Sequence, residues 1–256
     1  MDLLVSDVIE LFYTGIWPMI RITAFLLAAP FFSLQAVTVR LRVLIAVALT
    51  ILVYPLLDLE PIDPLSSQGF LALLGEIFIG VLLGVTLQMV SSALAIAGQS
   101  ISATMGLGMA NMIDPSFGNV PVLSQFLIIC STLIFMGLGG HIIILSLLTQ
   151  TFYSLPIGTY GDIGALAAGF IEWSSLLFAG SLIIALPILL TLLFVNLGIG
   201  VITRAAPALN IFAVGFPAMI VAGLLLIIVS FSNVGYRIQW LWFEALAQVR
   251  LLGGLS

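Results

Sequence analysis

Apolar stretches long enough to cross a bilayer alternate along the chain with short polar breaks. Six such stretches occur, at 11–34, 43–57, 70–97, 125–149, 174–203 and 211–232. A helix needs about 17–25 apolar residues to span the hydrocarbon. Each stretch is rich in Leu, Ile, Val, Phe and Ala, with few or no charges, and the last two are the clearest. Segment 43–57 ends at Asp58 after fifteen residues, so it spans only if Arg40 and Arg42 snorkel at one end, or else is buried in protein. The pattern predicts an all-α integral membrane protein of about six long hydrophobic helices.

The breaks differ in kind. Segment 58–69 is acidic and rich in Pro and Ser, and reads as a solvated turn. Segment 150–173 carries Pro156, Gly158, Gly161, Asp162, Gly164 and Glu172, and separates the first four spans from a final pair that forms a natural helical hairpin. The tail 236–252 mixes Arg237, Glu244 and Arg250 with Trp240, Trp242 and Phe243, which predicts an amphipathic helix at an interface. If the six segments alternate, Arg40, Arg42 and Arg204 share one side against Arg237 and Arg250 on the other, which points to an extracytoplasmic N-terminus.

Composition narrows the function. Of 256 residues, 62% are apolar and 7% charged, against roughly 25% charged in a soluble domain. So few ionised groups cannot cover a water-soluble globule, and disorder needs the opposite balance. Six basic residues, all Arg, against eleven acids leave no dense basic face for nucleic acid. Asp2, Asp7 and Glu10 stand where a secretory signal would carry Lys or Arg, so the first apolar run is expected to stay in the mature protein. One Cys (Cys130) and one His (His141) cannot build a zinc site or an intrachain disulfide. No Gly-x-Ser-x-Gly elbow or phosphate-binding Lys loop occurs. No enzyme activity and no cofactor are expected.

Four groups of residues stand out. Arg21 is centred in the first span and Glu76 lies near the start of the third. A charge at membrane depth costs roughly 2.5–3.5 kcal/mol on insertion scales, so such residues face protein or water. An ion relay needs a chain of ionisable groups; two favour a buried charge pair. Gly80 and Gly84 form Gly-x-x-x-Gly, followed by Ser91/Ala95 and Ala93/Ala97 at the same spacing, a pattern that lets helix backbones approach closely.

The third group is region 98–124, GQSISATMGLGMANMIDPSFGNVPVLS, whose only charge is Asp114. It is too apolar for a solvated loop, and irregular backbone at membrane depth is tolerated only inside protein or along an aqueous cavity. Flexible Met side chains suit a deformable seal. A pore-lining or pore-closing loop is favoured over a short continuation of the preceding helix and a plain turn at Asp114-Pro115. The fourth group is RAAPALNIFAVGFP, Arg204 to Pro217, where Pro207 and Pro217 bracket Asn210 and Phe212. An extramembrane elbow between the last two helices is favoured over a broken transporter helix.

Taken together, RITAFLLAAP around Arg21 and Pro30, GEIFIGVLLG at 75–84, the AGQSI…GLGMANMIDPSFG stretch, GGHIIIL at 139–145 and AAPALNIFAVGFP at 205–217 resemble the FliR family of the flagellar type III export apparatus, SctT in injectisomes. The chain departs from the family pattern at Thr38-Val39, Gln99, Ala208 and Met219. The resemblance implies one copy of this chain in a closed helical pore with five FliP-like and four FliQ-like subunits, beside an FlhB-like switch protein. Unfolded export substrates would pass across the inner membrane at the basal body, with the gate projecting to the periplasmic side and in contact with lipid. It also implies a FliP-like part over 1–149 and a connecting segment, FliQ-like hairpin and amphipathic tail over 150–256. The family's plug loop falls on 106–119, with Gly106, Leu107, Gly108, Met109, Asn111, Met112, Asp114, Pro115, Phe117 and Gly118. A rival reading without the resemblance is a small-solute transporter with a polar site around Arg21, Glu76 and Asn196.

Overall fold

The computed structural model describes residues 5–30, 38–57, 62–107, 122–158, 163–205 and 211–255. Among them every regular element is helical: α1 (Val5–Ala28), α2 (Val39–Val53) continued by a 3-10 turn (Tyr54–Leu56), α3 (Ser67–Thr104), α4 (Val122–Gly137), α5 (Gly140–Ser154), α6 (Ile163–Ala205) and α7 (Ile211–Leu252). Four stretches are long and apolar enough to cross a membrane, namely Val39–Leu56, Ser67–Thr104, Ile163–Ala205 and Gly215–Leu252, and α4 with α5 forms a bent fifth. The protein is an all-α integral membrane protein. Among the described residues α1 contributes a shorter apolar helix, Phe12–Ala28, and residues 31–34 of the first expected span lie outside the described residues.

Local chemistry sets the helix ends. The Thr38 hydroxyl accepts from the Leu41 N–H at 3.4 Å to start α2, and Pro55 in the first turn of the following 3-10 element cannot continue an α-helix. Before α3, Asp63 Oδ1 accepts from the Leu65 N–H and Ser66 Oγ from the Gly69 N–H, both at 2.9 Å. α7 ends in a Schellman turn: Leu255 N–H donates to Arg250 O and Gly254 N–H to Leu251 O, with Gly254 at φ +68°.

Three expectations are corrected. The apolar run 125–149 is two helices, because Gly139 adopts φ +70°, a left-handed conformation that no α-helix accommodates. Region 98–124 is not irregular from its start. α3 continues to Thr104, since nothing in Gly98–Thr104 breaks a helix, and α4 begins at Val122. The tail 236–252 is the final part of α7 rather than a separate element, and it buries Ile238, Leu241, Trp242, Ala245, Val249 and Leu252 at helical spacing against protein.

The chain forms two compact units. The first comprises Met1–Met89, Gly139–Ser174 and Phe243–Ser256; the second comprises Val90–Leu138 and Ser175–Trp242. Helices α3, α6 and α7 contribute to both. Trp17, Ile22, Phe25, Leu26, Leu83 and Leu87 form the dry centre of the first unit, and Leu94, Ile101, Met105, Phe135 and Leu192 are buried in the second. In the most apolar part of α3, 56% of residues are buried, against 17% in the Val39–Leu56 stretch, 22% in α6 and 17% in α7. Side chains such as Phe178, Phe194, Val201 and Val229 are therefore turned outward. That much uncovered apolar surface needs lipid or another protein against it.

Candidate functional site

In the first unit, Gly80 and Gly84 bring α3 onto α1. A Cβ on Gly80 would come within 2.5 Å of the Arg21 carbonyl and 2.8 Å of the Ala24 methyl; one on Gly84 would meet the Ala28 methyl at 2.6 Å. Only glycine allows backbones this close. The approach sets Glu76 of α3 beside Arg21 of α1, both fully buried.

The pair is bidentate. Arg21 Nε donates to Glu76 Oε2 at 2.6 Å and Nη2 to Oε1 at 2.9 Å. The remaining N–H groups reach the C-terminal end of α5: Nη2 donates to the Leu155 carbonyl at 2.8 Å, and Nη1 to the Thr151 carbonyl and hydroxyl at 2.9 and 3.2 Å. The Thr151 hydroxyl donates to Leu148 O, which leaves its lone pair facing Arg21. All five guanidinium donors are thus matched, as a buried Arg requires. The guanidinium also sits 4.3 Å from the centroid of the Phe152 ring. A cation at a helix C-terminus is favoured by the negative end of the dipole, and here it adds a second donor to the Thr151 carbonyl, which already accepts from the Leu155 N–H at 2.9 Å. Arg21 therefore ties α1, α3 and α5 together.

Arg21 and Glu76 are the two members of the polar site around Arg21, Glu76 and Asn196 that lie in this unit, and neither opens onto a solvent-lined cavity. Asn196 is exposed on α6 in the second unit. Among the described residues no cluster of three or more His, Cys, Asp or Glu side chains could hold a metal ion.

In the second unit, α3 and α4 are clasped where the chain leaves and returns. A Cβ on Gly98 would meet Ser124 Cα at 2.5 Å, and Ser124 Oγ donates to the Ala95 carbonyl at 2.8 Å. Met105 is fully buried, packed where Gly223 of α7 leaves room for it. Gly106 turns the chain at φ +80°, and a Cβ there would meet the Phe216 ring at 2.9 Å. Trp242 Nε1 donates to Ser131 Oγ at 2.8 Å, and its ring lies 4.6 Å from that of Phe135.

The described part of the plug segment is Gly106 and Leu107. Gly108, Met109, Asn111, Met112, Asp114, Pro115, Phe117 and Gly118 lie outside the described residues. So do Pro207 and Asn210 of the elbow; Phe212 falls in the first turn of α7. Pro217 is inside α7 and does not bracket the elbow, a correction to that expectation: the segment between α6 and α7 is 206–210 alone. Sequence reading missed the α5 partners of Arg21. Their one signal is Pro156, which forbids α5 from continuing and so leaves carbonyls in need of donors.

An apolar helical chain with uncovered faces, a fully satisfied buried ion pair and a clasped Gly/Met-rich segment defines a membrane-embedded assembly component. A model of the family described as bacterial export proteins, family 1, matches residues 12–245. Similar proteins include the flagellar biosynthetic protein FliR of Pectobacterium carotovorum subsp. carotovorum, 38% identical over 82% of this chain and 80% of that one. The FliR of Escherichia coli (strain K12) is 34% identical over 81% of this chain and 80% of its own length. That of Aquifex aeolicus (strain VF5) is 31% identical over 90% and 89%. The chain belongs to the FliR family of bacterial export proteins and is a membrane-embedded component of the flagellar export apparatus.

Proposed function

We propose that the chain is a non-enzymatic, pore-forming subunit of the flagellar type III export gate, present once beside five FliP-like and four FliQ-like subunits and neighboured by an FlhB-like switch protein. In this reading residues 1–149 play a FliP-like part, and 150–256 supply a FliQ-like hairpin built on α6 and α7. Unfolded export substrates cross the bacterial inner membrane through the assembled pore, which projects to the periplasmic side. Loop 106–119 closes that pore at rest.

The observation that carries the reading is the segment between α3 and α4. From Met105 to Pro121 it holds four Met or Phe side chains and three glycines with Asp114 as its only charge, and it departs from a rigid clasp at Gly98 and Ser124. A rigid base with an apolar, ion-poor tip suits a seal across a water-filled path. The uncovered faces of α6 and α7 supply the surface that neighbouring subunits would bury. Mass measurement of the complex formed on co-expression with FliP-like and FliQ-like subunits tests the assembly. A 5:4:1 particle containing this chain is expected; a chain that purifies only by itself, monodisperse and able to transport a small solute, overturns it.

A further inference from the structure

We propose that Met105 positions the seal: its side chain, keyed onto Gly223 of α7, fixes where the chain leaves α3 for loop 106–119, an inference that rests on the gate reading and assigns the anchoring of that loop to α7. The residues that carry it all belong to the second unit. Met105 is fully buried, whereas its neighbours Ala103 and Thr104 in the last turn of α3 are exposed. A Cβ on Gly223 would lie 2.6 Å from Met105 Cγ, Sδ and Cε alike, so the thioether takes the space that a side chain at 223 would fill.

The contact is one step of a register between two helices. Ile101 and Ile227 line one apolar cavity, Met105 meets Gly223, and Gly106 faces the Phe216 ring. As one number rises the other falls, so α3 and α7 run antiparallel here, and the turn from Ile101 to Met105 matches the turn from Ile227 to Gly223. The Met105 N–H still donates to the Ile101 carbonyl at 3.0 Å, whereas Gly106 turns away at φ +80° with its N–H on the Ala103 carbonyl. Met105 is thus the last residue held by the α-helical ladder before the chain departs. The return side is fastened differently, because Gly98 and Ser124 bind α4 to α3 itself. One root of the loop is set by the α3–α4 clasp and the other by α7. An unbranched thioether suits this task, since it fills an irregular notch without strain, and the glycine opposite lets it seat close to the α7 backbone.

The test is potassium leak at rest from liposomes that hold the purified gate complex. Met105→Ala empties the notch and Gly223→Ala pushes the thioether out of it, so both gates are expected to lose their resting tightness. Alanine favours the helix around position 223, and a leak from Gly223→Ala therefore reports the displaced side chain and not a weakened α7. In a Cys130→Ala background, Met105→Cys with Gly223→Cys sets the two Cβ atoms within roughly 4 Å, inside the reach of a disulfide. The reduced form should leak and the oxidised form should be tight, a reversible change within one folded complex that decides the matter even where an alanine variant does not assemble. A tight gate from either assembled alanine variant, no disulfide on oxidation, or equal leak from the reduced and oxidised forms overturns the proposal. Deletion of 106–119 is the control: a leak there beside tight alanine variants overturns the anchoring alone, and a tight deletion overturns the gate reading together with it.

Discussion

Arg21 and Glu76, fifty-five residues apart in sequence, meet in a two-bond clamp with neither side chain reaching solvent. The clamp gains strength from α5, whose final carbonyls absorb the donors that Glu76 leaves over. Breaking a buried pair by removing one partner costs about 3–5 kcal/mol, because the other charge is orphaned. Arg21→Ala is therefore expected to lower the melting temperature in detergent sharply and to reduce the yield of assembled complex. Arg21→Met combined with Glu76→Met removes both charges together and should be markedly less destabilised than the sum of the single changes. Additive melting shifts would show that the two side chains do not depend on each other.

Gly80 and Gly200 are both helical glycines, yet their substitutions should differ in sign. Gly80→Ala forces a methyl into the Arg21 carbonyl and Ala24, and overpacking of this kind costs about 1–3 kcal/mol. It should also lengthen the Arg21–Glu76 clamp by pushing α1 from α3. Nothing lies within 4 Å of a Cβ at Gly200, so Gly200→Ala is expected to be neutral or to stabilise by up to about 1 kcal/mol through reduced chain entropy. Thermal melts of the two variants side by side decide the matter.

Ser131 accepts the Trp242 indole N–H inside the second unit, where both residues are buried. Ser131→Ala removes that acceptor, and a buried donor without its partner costs about 1–3 kcal/mol. The expected result is a lower melting temperature and an altered tryptophan emission. An unchanged spectrum and melt would show that the bond contributes nothing in the membrane protein as purified.

The sequence made some of this structure legible and concealed the rest for definite reasons. Arg21 and Glu76 stand out because a charge within an apolar run must be met by something, and the Gly80/Gly84 spacing marks a close helix contact. The partners of Arg21 on α5 are mostly backbone carbonyls, which no side-chain pattern advertises. The break between α4 and α5 hid within an unbroken apolar run, although Gly137, Gly139 and Gly140 in close succession carried the signal. α6 and α7 exceed their apolar stretches because helices do not stop where hydrophobicity falls. Residues 163–173 and 233–252 contain no proline, so nothing in them ends a helix. The long helices leave apolar surface uncovered, and the segment between Leu107 and Val122 lies outside the described residues.

Ion conductance through the assembled gate, with and without residues 106–119, tests the gate reading most directly. Deletion of this segment leaves the Gly98–Ser124 clasp and the Arg21–Glu76 clamp in place, so the complex should still assemble. If the loop closes the pore, membranes carrying the deleted form will leak ions at rest while those with the intact chain stay tight. Equal, low conductance from both assembled complexes would contradict the assignment of this loop as the seal.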